Sequence, residues 1–433
     1  MAREAVKPTS GHWSVVSVSS EGVTGTSDIE VNSRAATASQ VSTEQDTLAL
    51  NEVILKSELK NAPYAVLNSE SLLDIIFPPD GRLNQVLDQL HSAKVIRTTR
   101  SKLRWAVRTW RGTKEAQVLG FLNSVSRKVF EYSGIDKSII LEGAPELPRG
   151  GIERTVKIDA FIGPCRNRQP STKESPHIDQ LHVVIELKQA SDSAAKYSLV
   201  KYVDQIFIGQ PNRILVHGMT IAGSKIRFYV FDRGSVYQSN AYDCVDDPKI
   251  LIRALIGYQR MSDREMGFDP TIKKLSDGKF EIEVDGRFYQ VKAPFRGNTG
   301  IFTRATTVWP FHEEESKGNG VIKDYWPEDM RGNHEGRLYK CINNRVNHLP
   351  QLVSHGFVPS QDTSKSPYRK LERTTKPPDL ELANARANRI HYRVVLKTPI
   401  GDKLFEQEQL VQIVKTLEEV VECKFAISNF FMT

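Results

Sequence analysis

The chain has 433 residues, enough for two domains of ordinary size plus tails. Its 59 basic and 52 acidic residues give a net charge of +7, a mild excess that reads as spread along the chain and lends nucleic-acid contact little support against a solvated surface of mixed charge. Four scattered cysteines without a C-x-x-C pair exclude a zinc ribbon or disulfide framework and suggest a reducing, intracellular compartment, while no apolar leader and no run of about 18 apolar residues argues for secretion or a membrane.

Residues 1–47 are rich in Ser, Thr, Val and Gly and hold too few large apolar side chains to order themselves, so a disordered tail is expected. Residues 48–61 and 71–94 carry helical periodicity, the second stretch broken at Pro78-Pro79-Asp80-Gly81. Beyond a basic segment with Trp105 and Trp110, a helix is predicted from Lys114 to Tyr132, with Glu115 at its start and Val118, Phe121, Leu122, Val125 and Val129 on its apolar side. A strand is predicted over Glu153–Ile162, with Asp159 near its end.

The run Ile178–Gln189, IDQLHVVIELKQ, then reads as a buried strand, because a short β-branched stretch suits a sheet covered on both faces. Helix Ser191–Gly209 follows, stopped at Gln210-Pro211, and strands Arg213–Met219 and Lys225–Phe231 complete the set. Helix, strand, strand, helix, strand, strand implies a mixed sheet flanked by helices, an α+β N-terminal module spanning 48–275.

Glu186 and Lys188 share one face of the central strand with His182 and Val184. A carboxylate and an ammonium there must either pair, tying the sheet to its loops, or hold a ligand. Twenty-six residues separate Asp159 from Glu186, and the acid-x-lysine strand precedes a helix. This order resembles the PD-(D/E)XK nuclease superfamily, although Lys157-Ile158 and no proline precede Asp159. The resemblance implies a restriction-endonuclease-like fold, Mg²⁺ held by Asp159 and Glu186 with Glu115 alongside, and water activated near Lys188.

Farther on, Lys279–Val284 and Arg287–Lys292 alternate around Asp285-Gly286, a hairpin signal. Val321-Ile322-Lys323 reads as a strand, His334–Ile342 as a helix, and Leu352–Val358 and Ile390–Leu396 as strands. These give a second module over 276–358, completed by residues 390–433. The Ser/Thr/Lys/Pro-rich stretch 359–389 between them is expected to be a mobile insertion, and Phe405–Cys423 an amphipathic helix.

The blocks FDRGS, SDREMGFDP, VIKDYW and HEGRLY, with the Q-P-x-R of Gln210-Pro211-Asn212-Arg213, are similar to the fungal-type protein kinase domain family over roughly residues 50–422. The resemblance implies a kinase-like N-lobe with an antiparallel sheet. In it Lys323 would contact the α- and β-phosphates of ATP, Glu335 would pair with Lys323, and Gly297 and Gly300 would belong to the phosphate loop of Arg296–Pro310. Arg304-Ala305-Thr306 stands where the family has a further glycine. The sequence contains no H-R-D and no D-F-G, and it ends at Thr433 where the family continues into a C-lobe. The expectation is therefore a truncated, pseudokinase-like protein acting through binding, with a Mg²⁺-dependent nuclease at Asp159, Glu186 and Lys188 as the alternative. Its partner, protein or nucleic acid, stays open.

Overall fold

The computed structural model describes residues 64–66, 69–106, 115–135, 139–143, 158–164, 176–190, 192–233, 236–294, 301, 303–313, 318–327, 335–342, 350–358 and 389–397. The tail 1–47, the stretch 48–61, the insertion 359–388, the segment Phe405–Cys423 and both Gly297 and Gly300 lie outside the described residues.

The first part of the chain runs through β1 (Tyr64–Val66), α1 (Ser69–Ile76), α2 (Arg82–Ser92), β2 (Ile96–Thr99), β3 (Lys102–Trp105), α3 (Glu115–Ser133), β4 (Ile139–Gly143) and β5 (Ala160–Pro164). It continues with β6 (Val183–Lys188), α4 (Asp192–Gly209), β7 (Leu215–Ala222), β8 (Lys225–Asp232), β9 (Val236–Gln238), β10 (Tyr242–Asp243) and α5 (Pro248–Arg260). The break between α1 and α2 falls where the Pro-Pro-Asp-Gly turn forbids helix.

Eight strands form a mixed sheet in the order β1-β9-β8-β7-β6-β5-β4, with β10 on β8. Strands β4, β5 and β6 are an antiparallel meander, and β7 runs parallel to β6 because α4 carries the chain back across the sheet. Side-chain alternation splits β6 between two cores. Val183, Ile185 and Leu187 pack with residues of α1, α2, α3 and α5, whereas Val184 packs with Leu199, Val203 and Ile206 of α4. Glu186 therefore faces α4. This sheet departs from the sequence pattern at two places. The ladder of β5 begins at Ala160, so Asp159 stands just before the strand rather than near its end. The short β4 was not expected, since its five residues carry too brief a pattern to register.

The second part runs through β11 (Ile272–Lys274), β12 (Phe280–Val284), β13 (Arg287–Val291), β14 (Thr307–Glu313), β15 (Gly318–Tyr325), α6 (Glu335–Ile342), β16 (Gln351–Phe357) and β17 (Tyr392–Lys397). They form a seven-stranded antiparallel sheet in the order β11-β12-β13-β14-β15-β17-β16. Asp285 and Gly286 both have positive φ, 50° and 74°, as the tight turn between β12 and β13 requires. Strand β14 takes up the end of the stretch expected as loop, because Trp309 and Phe311 are buried at alternate positions. On β15, Ile322 joins the core of Phe280, Ile282, Trp309 and Val395, while Val321 and Tyr325 lie on the opposite face with Tyr339 of α6. Lys323 shares the face of α6.

The segment Ser262–Pro270 joins the two sheets. Gly267 has φ of +100°, and a Cβ there would lie 2.2 Å from the Leu215 carbonyl oxygen, so this position of the SDREMGFDP block accepts glycine alone. Arg213, buried in the connection between α4 and β7, donates to the carbonyls of Leu181 and His182 at 3.1 and 3.0 Å and to that of Met266, and its guanidinium lies 3.8 Å from the centre of the Phe268 ring. Gln210 adds bonds to the carbonyls of Ile178 and Leu181 at 2.6 and 3.0 Å. The Q-P-x-R block thus clamps α4, the entry to β6 and the joining segment together.

Candidate functional site

Lys323 reaches across from β15 to the first residue of α6, where its Nζ donates to Glu335 Oε2 at 2.6 Å. The two side chains keep 30% and 23% of their surface exposed, so a ligand can approach the ammonium while the carboxylate holds it. Helix α6 can sit this close to the sheet because its second residue is Gly336. A Cβ there would fall 2.1 Å from the His355 ring on β16. Two more groups frame the lysine. The Tyr325 ring centre is 5.5 Å from Lys323 Nζ and 5.4 Å from the Arg304 guanidinium carbon. Ala305 has a φ of +43°, a left-handed conformation that glycine favours. Of the residues expected to bind ATP, the structure brings Lys323 and Glu335 together.

The opposite face of the same strands holds a buried network that the sequence reading missed. Arg393 Nη2 donates to Asp269 Oδ2 at 2.8 Å and to Asp324 Oδ2 at 3.4 Å, and Nη1 donates to Thr271 Oγ1 at 2.6 Å and the Glu283 carbonyl at 3.1 Å. His391 completes the group, with Nε2 on Asp324 Oδ1, Nδ1 at 3.7 Å from Asp269 Oδ2, and its ring stacked 4.4 Å from that of Trp326. Burial alone would raise the Asp324 carboxyl, but Arg393 and His391 hold it down at about 2. Burial would likewise weaken the Arg393 cation, and the two carboxylates outweigh it and raise its pKa. The residue after the lysine thus anchors β15 to the joining segment at Asp269.

In the first sheet, Asp159, Glu186 and Lys188 converge. Lys188 Nζ pairs with Glu186 Oε1, lies 3.9 Å from Asp159 Oδ2 and donates to the Leu187 carbonyl at 3.3 Å. Its contact with Oε1 is an ion pair without hydrogen-bond alignment. Asp159 Oδ2 accepts from the Leu187 amide at 2.9 Å, and the Tyr202 hydroxyl of α4 donates to Glu186 Oε2. Glu115 is exposed at the start of α3 and acts on Lys188 and Tyr202 through its charge. Among the described residues, no group of three or more His, Cys, Asp or Glu side chains could hold a metal ion. The sequence pattern supplied Asp159, Glu186 and Lys188. Tyr202 was missed, and its spacing ten residues into a helix offered no signal.

Burial of Glu186 lifts its carboxyl to about 7 from the usual 4.5, against the pull of Lys188 and Tyr202 and with help from Asp159. A carboxyl whose pKa is higher in the folded state binds more protons there than in the unfolded chain. Its contribution is therefore complete below pH 4.5 and is lost as pH rises toward 7. Buried His217, whose pKa burial pushes down to about 4, adds stability as pH rises over much of the same window, so the test is the difference: urea midpoints should rise more steeply with pH in Glu186→Gln than in the native chain. An unchanged slope in the variant would refute the assignment.

A family model described as fungal protein kinase matches residues 157–428. No curated protein matches the chain, and no solved structure does.

Proposed function

Because the chain belongs to the fungal protein kinase family, we propose that its seven-stranded sheet is a nucleotide-binding lobe in which Lys323, fixed by Glu335, takes the α- and β-phosphates of ATP. The observation that carries this reading is the 2.6 Å bond from Lys323 to Glu335. In kinases the phosphate-binding lysine stands on a strand of the lobe and pairs with a glutamate of the following helix, and the Lys323–Glu335 pair between β15 and the next helix, α6, supports that reading. Arg304, beside the same Tyr325 ring, adds a second cation near the phosphate position.

Phosphoryl transfer further needs an aspartate that orients the acceptor hydroxyl and an Asp/Asn set that holds Mg²⁺, supplied by H-R-D and D-F-G blocks. Neither occurs in this sequence, so the reading is nucleotide binding without transfer by these residues. Calorimetric titration of MgATP into the full chain tests it. Binding is expected, with its loss in Lys323→Met, and heats that survive the substitution would remove Lys323 from the site.

A second reading rests on Lys188 Nζ, which stands among Asp159 Oδ2, Glu186 Oε1 and the Leu187 carbonyl, three oxygens of the kind Mg²⁺ takes. The succession α3, β4, β5, β6, α4, β7, with the acid just ahead of β5 and the acid-x-lysine on the neighbouring β6, supports a restriction-endonuclease-like module. Asp159 and Glu186 would hold Mg²⁺, which supplies an activated water for phosphodiester hydrolysis. Lys188, whose pKa the Glu186 contact raises against burial, stays charged and neutralises the scissile phosphate. Supercoiled plasmid should be nicked with Mg²⁺ and spared by Glu186→Ala. Absence of nicking across divalent metals would retire this reading.

A further inference from the structure

The positive excess, expected above to be spread along the chain, is local. Residues 89–114 hold eight of the 59 basic residues and none of the 52 acidic ones, which leaves 51 against 52 in the rest. At the centre of this segment stands the hairpin β2–β3, which pairs with neither large sheet. Ile96 and Trp105 are buried, and Trp105 Nε1 donates to the Cys244 carbonyl at 2.9 Å, so the base of the hairpin is fixed on the body.

The other face is cationic. The register sets Arg97 directly opposite Arg104, with Lys102 two residues along on the same face. Like charges across a ladder destabilise it. At the tip, Arg100 and Ser101 have φ of 48° and 62°, the two positive values that a two-residue turn requires and that asparagine and glycine ordinarily supply. The sequence thus accepts a repulsive pair and a strained turn that holds an arginine at its apex. Lys94, Arg97, Arg100 and Lys102 are exposed and make no ion pair among the described residues. Arg104 is held by the Asp246 carbonyl.

We propose that this hairpin is a docking surface for the phosphate backbone of double-stranded DNA. A polyanion relieves the repulsion between the cations and releases its own counterions on binding. The exposed hydroxyls of Thr99, on the same face, and Ser101, in the turn, supply further phosphate contacts. Single strands are bound on exposed aromatic platforms, and the one aromatic ring of this hairpin, Trp105, is buried. A two-stranded ribbon fits the major groove of B-form DNA but not the deep, narrow groove of duplex RNA. A membrane surface would need exposed apolar anchors beside the cations, and this face has none. Asp88, Asp243, Asp246 and Asp247 line the open cleft that Lys102 and Arg104 border, and their charge directs a duplex away from it, onto Arg97 and Arg100, which do not line it. The proposal depends on neither function proposed above.

Fluorescence anisotropy with a short labelled DNA duplex and the full chain, over a range of salt, provides the test. The expected Kd lies at about 10⁻⁴–10⁻⁶ M near physiological salt, the range of binding without sequence preference. Arg97→Gln/Arg100→Gln/Lys102→Gln should weaken binding about tenfold or more and reduce the salt slope by about 0.9 for each phosphate that is no longer neutralised. A charge-matched control, Lys273→Gln/Arg287→Gln/Lys292→Gln on the second sheet, should leave binding unchanged, and melting curves check that both variants fold. No binding at low salt, equal loss in the control, or equal or tighter binding to duplex RNA, single strands or anionic vesicles would each overturn the proposal.

Discussion

Arg393→Leu is expected to lower the unfolding free energy by about 3–5 kcal/mol, the effect of removing one partner from a buried ion pair. Two carboxylates, Asp269 and Asp324, would remain 2% and 6% exposed with His391 as the only basic side chain left beside them in the group. Carboxylates in that position either take up protons or draw in water, and both disrupt the packing of Trp326 and Thr271 around them. Chemical denaturation of the full chain gives the number directly. The network's character sets a second expectation: Asp324→Asn in the Arg393→Leu background should recover part of the loss, because one uncompensated charge is gone. A midpoint that barely moves in Arg393→Leu would mean that the joining segment, rather than this network, holds the second sheet.

Lys323→Met is expected to weaken MgATP binding by at least about tenfold, or 1.4 kcal/mol, with little change in stability. The lysine is part-exposed and its partner carboxylate can return to water, so the fold loses little with it. Glu335→Ala should weaken binding less, since the ammonium remains but is no longer held toward the phosphates. The double variant should bind no worse than Lys323→Met alone, because the glutamate acts through the lysine; that non-additivity separates a working pair from two independent surface charges. Additive losses would refute the coupling.

What the sequence made legible was local. The apolar run of β6 and the spacing of Glu186 and Lys188 followed from alternation along one strand, and the pairing of Lys323 with Glu335 from a family pattern within twelve residues. What escaped depends on contacts that periodicity does not encode. Asp269 and Arg393 meet across 124 residues, and each sits in a segment whose pattern records a turn or a strand but not a buried charge. Tyr202 lies on the buried side of a helix that was placed correctly, yet only the crossing of α4 over β6 brings its hydroxyl to Glu186. The hairpin β2–β3 was hidden because its turn is Arg-Ser instead of Asn-Gly, so the usual signal is absent. Asp159 was placed inside a strand whose ladder starts one residue later, a shift within the ordinary uncertainty of an element's end.

The central claim is that Lys323 meets the phosphates of a nucleotide. A lysine-reactive acyl-phosphate derivative of ATP, followed by peptide mapping, asks this of every lysine in the chain at once. Lys323 should carry the label, lose it when excess MgATP is present, and lose most of it in Glu335→Ala. Labelling spread over surface lysines and indifferent to ATP would contradict the claim.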